Sequence, residues 1–348
     1  DKIKGMKTLI KESYVSLKNR LGRVPLLYDF YENQEIDPLV IIREYKTYDA
    51  FMVEMEQDKY KNVLNEQEKL TLEYLSKTVL SGVRPDELVI LSQLLHRDHI
   101  AVADFIKEYQ NTYGIEISTS RVKEAVQVLQ GHFVSKEAEY QKYCQIDILE
   151  NDPAGMIKRL QSYTERLTHI PFYTQVEDII KVGIARYKEK YLPGIKSEDP
   201  FVLYEKYSRR DVSLLMNCGK DLSSIMYGMK RIENDVFIFI TYHKEESQDE
   251  KNYVDEKPNH ADAFEDSLIF KWDSQIGKGP ESGYMKDVVE AKRRHLFIKK
   301  SDAETSFYYM GTFDIINIIG DKKKDNNGNL RDITKVTMKM HYAVREDL

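Results

Sequence analysis

The sequence has little cysteine: its two, Cys144 and Cys218, stand far apart. That excludes a disulfide framework and the close ligand pairs of a zinc site, and it suits a reducing, cytoplasmic compartment. Both cysteines read as small buried hydrophobes. No apolar run reaches the roughly 18 residues that cross a bilayer, so no membrane partner is expected. The opening DKIKGMKTLIKES lacks the apolar heart of a signal peptide and an initiating Met, so a piece cut from a larger protein is the expectation. A G-x-x-x-x-G-K-[ST] phosphate loop is missing, and His243-Lys244-Glu245 lacks the spacing of an H-x-K nuclease motif. Neither ATP hydrolysis nor DNA cleavage is expected of this chain, and no cofactor or metal within it. A basic excess is lacking too: 52 Lys+Arg face 58 Asp+Glu, a net charge of −6. Proteins held to DNA by phosphate contacts usually carry a basic surplus, which here must be local.

What is present is a globular composition, 41% hydrophobic and 32% charged, over 348 residues. That length favours two domains. Residues 1–195 follow a helical period. Val176, Ile179, Ile180, Ile184 and Tyr187 recur on one face, Leu70, Leu72, Tyr74, Leu75, Val79 and Leu80 form another, and Val122, Val126 and Leu129 repeat the theme. Pro85 followed by Asp86-Glu87 predicts a helix start. Leu21–Met52 reads as short helices joined by tight turns, either plain structure or a helix-turn-helix-like module with Lys46, Thr47 and Tyr48 at a helix start. YLPGIKSEDP, 191–200, has linker chemistry. Asp199-Pro200 predicts an N-cap with proline at the first helical position, and Ser208 with Asp211 a capping box.

The period then becomes strand-like. VFIFITY (236–242), SLIFKW (267–272), HLFIKK (295–300), a pair of strands around Gly311 (306–320) and ITKVTMKMHY (333–342) are β-branched and aromatic. Asn326-Asn327-Gly328 predicts the last hairpin turn. Glu245–Asp266 reads as a long acidic loop. The predicted class is α+β: an N-terminal all-helical domain, 1–195, and a small curved-sheet or β-barrel domain, 196–348.

Within the second part, YSRRDV (207–212), ITYHK (240–244), IFKWDSQ (269–275) and LFIKKSD with FYYMG (296–311) place polar, basic or aromatic residues where an apolar element stops. These words resemble the C-terminal domain of a family of bacterial type IV, modification-dependent restriction enzymes. In that family a phospholipase-D-type nuclease and a superfamily-two helicase motor precede a helical region and this β-rich domain. The resemblance covers about 200–345 well, and the helical region only in order and character. It implies an SRA- or PUA-like recognition domain after a helical coupler. It also implies a parent protein that uses ATP and Mg and takes double-stranded DNA with 5-methylcytosine or 5-hydroxymethylcytosine as its partner. The helicase and nuclease domains of the same parent chain would be the other partners.

A pocket for a flipped base needs aromatic faces, an acceptor for the cytosine amino group and donors for its ring face. Trp272, the sole tryptophan, ends a strand and precedes Asp273, Ser274 and Gln275. It reads either as a stacking wall beside polar groups or as a core tryptophan before a turn. Tyr242 and Tyr207 are further base-binding candidates, with Tyr284 behind them. Arg209, Arg210, Lys244, Arg293, Arg294, Lys299 and Lys300 are candidate phosphate contacts, or else members of solvated ion pairs. His96 and His99 lack a second ligand pair. The two histidines read as solvated surface, and Glu290-Ala291-Lys292 sits in a helical-looking run without the preceding Asp of a nuclease core. A rival class stays open: a protein-protein or autoinhibitory module, favoured by the net acidity.

Overall fold

The computed structural model resolves these patterns into an α+β chain, helices first and a mixed sheet after. It describes residues 4–57, 59–60, 63–196, 198–242 and 268–348. The predicted acidic loop Glu245–Asp266 and Lys244 lie outside the described residues. Two units emerge. Unit 1 comprises Asp1–Pro193 with Ser213–Asp221, and unit 2 comprises Gly194–Val212 with Leu222–Leu348.

In unit 1 the helix Ile170–Arg186 buries Phe172, Val176, Ile179, Ile180 and Val182. Glycine sets how closely its neighbours approach. A Cβ on Gly82 would lie 2.2 Å from the Gly183 carbonyl oxygen, and one on Gly183 would lie 2.7 Å from the Leu88 methyl carbons. Gly82 also holds φ +69°, which side-chain-bearing residues rarely adopt. Leu88 belongs to the helix Asp86–His96, which begins just after Pro85 as predicted. Its first turn holds a buried ionic cluster. Arg84 Nε lies 3.0 and 3.1 Å from the Glu87 carboxylate oxygens, while Arg121 Nε lies 2.6 Å from Asp86 Oδ2. Tyr109 donates to Asp86, and Arg84 also reaches the Leu214 carbonyl within the same unit. Deleting one member of such a set leaves a buried charge unmatched, at a cost of about 3–5 kcal/mol. Leu21–Met52 forms short helices, but Thr47 and Tyr48 are buried, and Thr47 caps its helix by accepting from Ala50 N–H. The unit adds a small antiparallel sheet to the helices, β1 (His99–Ala101), β2 (Leu149–Asn151) and β3 (Met156–Arg159), in the order β1-β3-β2.

Unit 2 contains β4 (Lys206–Ser208), β5 (Met229–Ile232), β6 (Asp235–Thr241), β7 (Ile269–Asp273), β8 (Arg293–Lys299), β9 (Ser306–Lys324) and β10 (Leu330–Met340). The strand order is β5-β6-β8-β9-β10-β7, with β4 beside β9; β6 and β8 run parallel. The near-continuous apolar run of β6 is explained by burial on both faces. Val236, Ile238 and Ile240 join Leu296, Ile298, Trp272 and Met285 in one core. Phe237 and Phe239 face the other way, into a ring cluster with Phe201, Tyr207, Phe297, Phe307 and Tyr309. Gln275, just past β7, donates to the Tyr227 carbonyl at 2.8 Å, next to β5. The sheet thus rolls until residues beside its two end strands meet, and the helix Gly283–Glu290 supplies Met285 and Val288 to the core.

Two local expectations change. Gly311 does not divide two strands: it sits at φ +91° within the continuous β9. No helix follows Asp199-Pro200; the Asp199 carboxylate accepts from Phe201 N–H at 2.9 Å and turns the chain toward β4. The Ser208–Asp211 capping box does form, with reciprocal bonds of 2.9 and 3.0 Å, ahead of the helix Arg209–Leu215.

In unit 1, Asp178 accepts from Leu27 and Tyr28 N–H at 2.8 and 2.9 Å, capping the helix Leu27–Glu32. Burial pushes its carboxyl up to about 7, against the pull of the Tyr28 and Leu27 N–H groups. The folded state therefore holds this proton more tightly than the unfolded chain does. Stability from this group is present at low pH and is lost as pH rises through the folded value. Urea unfolding followed between about pH 4.5 and pH 7.5 should show that decline in the wild type and a flatter profile in Asp178→Asn. Equal slopes would contradict the assignment.

Candidate functional site

Unit 2 carries a pocket of about 600 Å³. Its walls come from the lead-in segment (Lys196, Asp199, Val202, Leu203), from Arg293 on β8, from Tyr309 and Thr312 on β9, and from Tyr342 just past β10. The lead-in is held against β9: Tyr204 N–H donates to the Tyr309 carbonyl at 2.8 Å, and Tyr309 N–H donates to the Glu205 carbonyl at 3.0 Å. Gly311 makes room on the other side. A Cβ there would lie 2.9 Å from Tyr342 Cδ2, so a side chain would displace the ring.

Behind the wall runs a chain of buried polar groups. Arg293 Nε lies 2.8 Å from Asp235 Oδ1. Asp235 Oδ1 lies 2.7 Å from His295 Nε2, and His295 Nδ1 lies 2.8 Å from the Tyr309 hydroxyl. That hydroxyl donates to Asp199 Oδ2 at 2.7 Å, on the pocket wall. Burial pushes the Asp235 carboxyl up, but the bonds and charges of His295 and Arg293 outweigh it and hold the group below the usual carboxylate range. Burial, reinforced by Asp199, raises the Tyr309 phenol far above its ordinary value, so it stays a neutral donor. His295 is itself 1% exposed and stacks on Phe237 at 4.8 Å and 7°.

At the rim, Lys196 Nζ lies 3.2 Å from the Tyr342 hydroxyl and 5.1 Å from its ring centroid. Thr312 Oγ1 lies 2.6 Å from His341 Nδ1, and His341 Nε2 lies 3.0 Å from Asp314 Oδ2. The pocket thus presents the Asp199 carboxylate, with Glu198 also in the wall, two cations and an exposed aromatic ring. Such a set can hold a flat, amino-bearing heterocycle: the carboxylate accepts, the cations donate and the ring stacks.

Of the residues singled out from sequence, those the structure describes fall elsewhere, with one exception. Trp272 lies in the core, 7% exposed, with Tyr284 stacked on it at 6.1 Å and 21°. Its ring is committed to packing rather than open to a base. Asp273 pairs with Lys323 at 3.4 Å. Ser274 Oγ accepts from Thr334 N–H at 2.8 Å and donates to the Lys278 carbonyl at 2.7 Å, tying β7 to β10. Gln275 makes the closure to Tyr227 already described. Tyr207 is 0% exposed, and its hydroxyl accepts from Val202 N–H at 2.7 Å. It anchors the lead-in segment rather than offering a face. Tyr242 is half-buried against the core.

Among the cations, Arg293 is the exception that reaches the pocket. Arg294 instead donates to the Val288 and Val289 carbonyls and closes the end of the helix Gly283–Glu290. Arg209 and Lys299 converge on Phe307, at 5.0 and 4.9 Å from its centroid. Burial, then the charge of Arg209, lowers Lys299. Arg210 is half-buried at the start of its short helix, and Lys300 donates to the Glu346 carbonyl. Asp199, His295, Tyr309, Lys196 and Tyr342 were not foreseen. The one available cue was a histidine inside an otherwise apolar strand, HLFIKK, whose imidazole needs partners when buried.

Residues 10–191 match the family model described as Domain of unknown function (DUF8090), and residues 201–348 the one described as Domain of unknown function (DUF3427). No curated protein matches the sequence. Among solved structures, the chain is similar to the crystal structure of Arabidopsis thaliana SUVH6 in complex with SAM, at 10% identity and a TM-score of 0.27. The match covers 66% of this chain and 41% of that one, so this chain spans well under half of it. A likeness this slight says nothing about ligand.

Because Trp272 is a packed core residue, Trp272→Ala should cost about 3–5 kcal/mol of unit 2 stability. Chemical unfolding would measure it; a variant as stable as the wild type would return Trp272 to the base-binding candidates.

Proposed function

The chain belongs to the family described as Domain of unknown function (DUF8090), and from that premise we propose that it is the non-catalytic reader portion of an ATP-dependent, modification-dependent (type IV) restriction endonuclease. Unit 2 takes a cytosine carrying a 5-methyl or 5-hydroxymethyl group, swung out of duplex DNA. Unit 1 couples that event to a helicase motor elsewhere in the parent protein, where ATP and Mg act.

The observation that carries this reading is the pocket of about 600 Å³ with Tyr342, Asp199, Lys196 and Arg293 in its wall. Extruding a base costs a few kcal/mol of stacking, which the pocket must offset. Tyr342, 41% exposed, offers a ring face. Asp199 has one donor on each oxygen, Phe201 N–H and Tyr309 O–H, and each oxygen keeps a lone pair for an amino group. Lys196 and Arg293 are donors for the carbonyl and ring nitrogen of a cytosine. Val202 and Leu203 supply apolar surface of the kind a methyl group needs. Arg209, Arg210 and Lys300 are retained as backbone contacts in this proposal; Lys299, buried and donating to the Glu304 carbonyl, is not. Trp272, Ser274 and Gln275 act by holding the sheet in its rolled form.

A second reading, a protein-interaction module, is favoured by exposed Ile316, Ile319 and Leu330 on the β9–β10 hairpin. It predicts no DNA binding by this chain.

The test is binding to matched short duplexes, one with a single 5-methylcytosine and one without, at two salt concentrations. The methylated duplex should bind more tightly at both, while both affinities fall with salt. Tyr342→Ala should lose roughly tenfold on the methylated duplex, the size of one base-aromatic stack, and little on the unmodified one. Equal binding of both duplexes by the wild type would overturn base recognition, and no binding to either would favour the second reading.

A further inference from the structure

The Tyr309 hydroxyl has one proton and two partners that can take it. Asp199 Oδ2 is 2.7 Å away and His295 Nδ1 is 2.8 Å away. Which one receives it depends on His295. Asp235 is ionised and can only accept, so His295 Nε2 must carry a hydrogen toward it, 2.7 Å away. If Nδ1 also carries a hydrogen, it donates to the Tyr309 oxygen and the hydroxyl proton goes to Asp199. If Nδ1 is bare, it competes for that proton, and Asp199 Oδ2 loses its donor while still facing the pocket.

We propose that His295 is a positioning residue that acts through Tyr309 to set how strongly Asp199 accepts an N–H from a ligand in the pocket. The inference rests on the pocket being a binding site; the coupling itself does not depend on the ligand being a base. With Nδ1 bare an acceptor on the wall is freed, so an amino-bearing ligand binds more tightly to that form of the ring. Reciprocally, the ligand favours that form.

The groups around His295 permit this. From β6, Asp235 faces Nε2 and Phe237 stacks on the ring. From β9, Tyr309 faces Nδ1 and carries the link to Asp199. From its own strand, Arg293 acts through Asp235. From the lead-in segment, Phe201 closes the edge at 5.6 Å and 63°. One cation, two carboxylates and a neutral phenol therefore surround an imidazole that is cut off from water.

The test follows the His295 imidazole nitrogens by NMR across pH in the ligand-free chain. Asp199→Asn keeps an oxygen for Phe201 N–H, so the turn is expected to hold, and puts an amide NH2, which cannot accept the hydroxyl proton, where Oδ2 faced Tyr309. It should move the His295 nitrogen signals toward the form with Nδ1 bare, because the Tyr309 proton, refused by the amide, turns to Nδ1 as its acceptor. In a Tyr309→Phe background the same change should have a much smaller effect, since the connecting hydroxyl is gone and the direct effect of the charge alone remains. Unchanged signals in folded Asp199→Asn, or an equal shift with and without the hydroxyl, overturn the coupling. A second arm measures the methylated-to-unmodified affinity ratio against pH. A ratio that rises with pH in the wild type and is flat in Tyr309→Phe supports the full proposal. A flat wild-type ratio beside intact ligand-free coupling overturns the ligand assignment alone.

Discussion

One buried hydrogen-bonded chain, Asp235–His295–Tyr309–Asp199, organises unit 2. Each member sits on a different segment: β6, β8, β9 and the lead-in before β4. A buried polar group without a partner costs about 1–3 kcal/mol, so these segments keep the one register in which every group is matched. The parallel pairing of β6 with β8 places Asp235 opposite Arg293, and β9 sets Tyr309 within reach of His295. Asp199 ends the chain at the surface of the pocket. The same bonds that fix the sheet therefore aim the carboxylate that a ligand would meet.

Around that chain the aromatic residues divide the labour. Phe201, Phe237, Phe297 and Tyr207 exclude water from the imidazole on one side of the sheet. Trp272 and Tyr284 fill the other side, where the roll closes through Gln275 and Ser274. Tyr342, packed over Gly311, brings an exposed ring to the pocket mouth. Unit 1 is held by a different device, the Arg84–Glu87 and Asp86–Arg121 pairs beside the Gly82–Gly183 approach.

The strands were legible because VFIFITY, HLFIKK and ITKVTMKMHY carry the β-branched and aromatic residues that a pleated, buried surface requires. The Asn327-Gly328 turn was legible for its backbone: Gly328 takes φ +80°. Gly311 misled, because the same freedom that ends a strand also lets one run on past a ring that needs space. Asp199-Pro200 misled because an aspartate that turns the chain onto Phe201 N–H looks, in sequence, like one that caps a helix. The site was the least legible part. A lone tryptophan beside polar residues has the same pattern in a core as in a pocket. The partners of His295 come from β6 and β9, and no local pattern predicts a contact of that separation.

The most direct measurement is a crystal structure of the chain bound to a short duplex with one 5-methylcytosine. The account predicts that base outside the helical stack, its ring against Tyr342 and its amino group at Asp199. A methylated base still stacked in the duplex, or held away from this pocket, would contradict it.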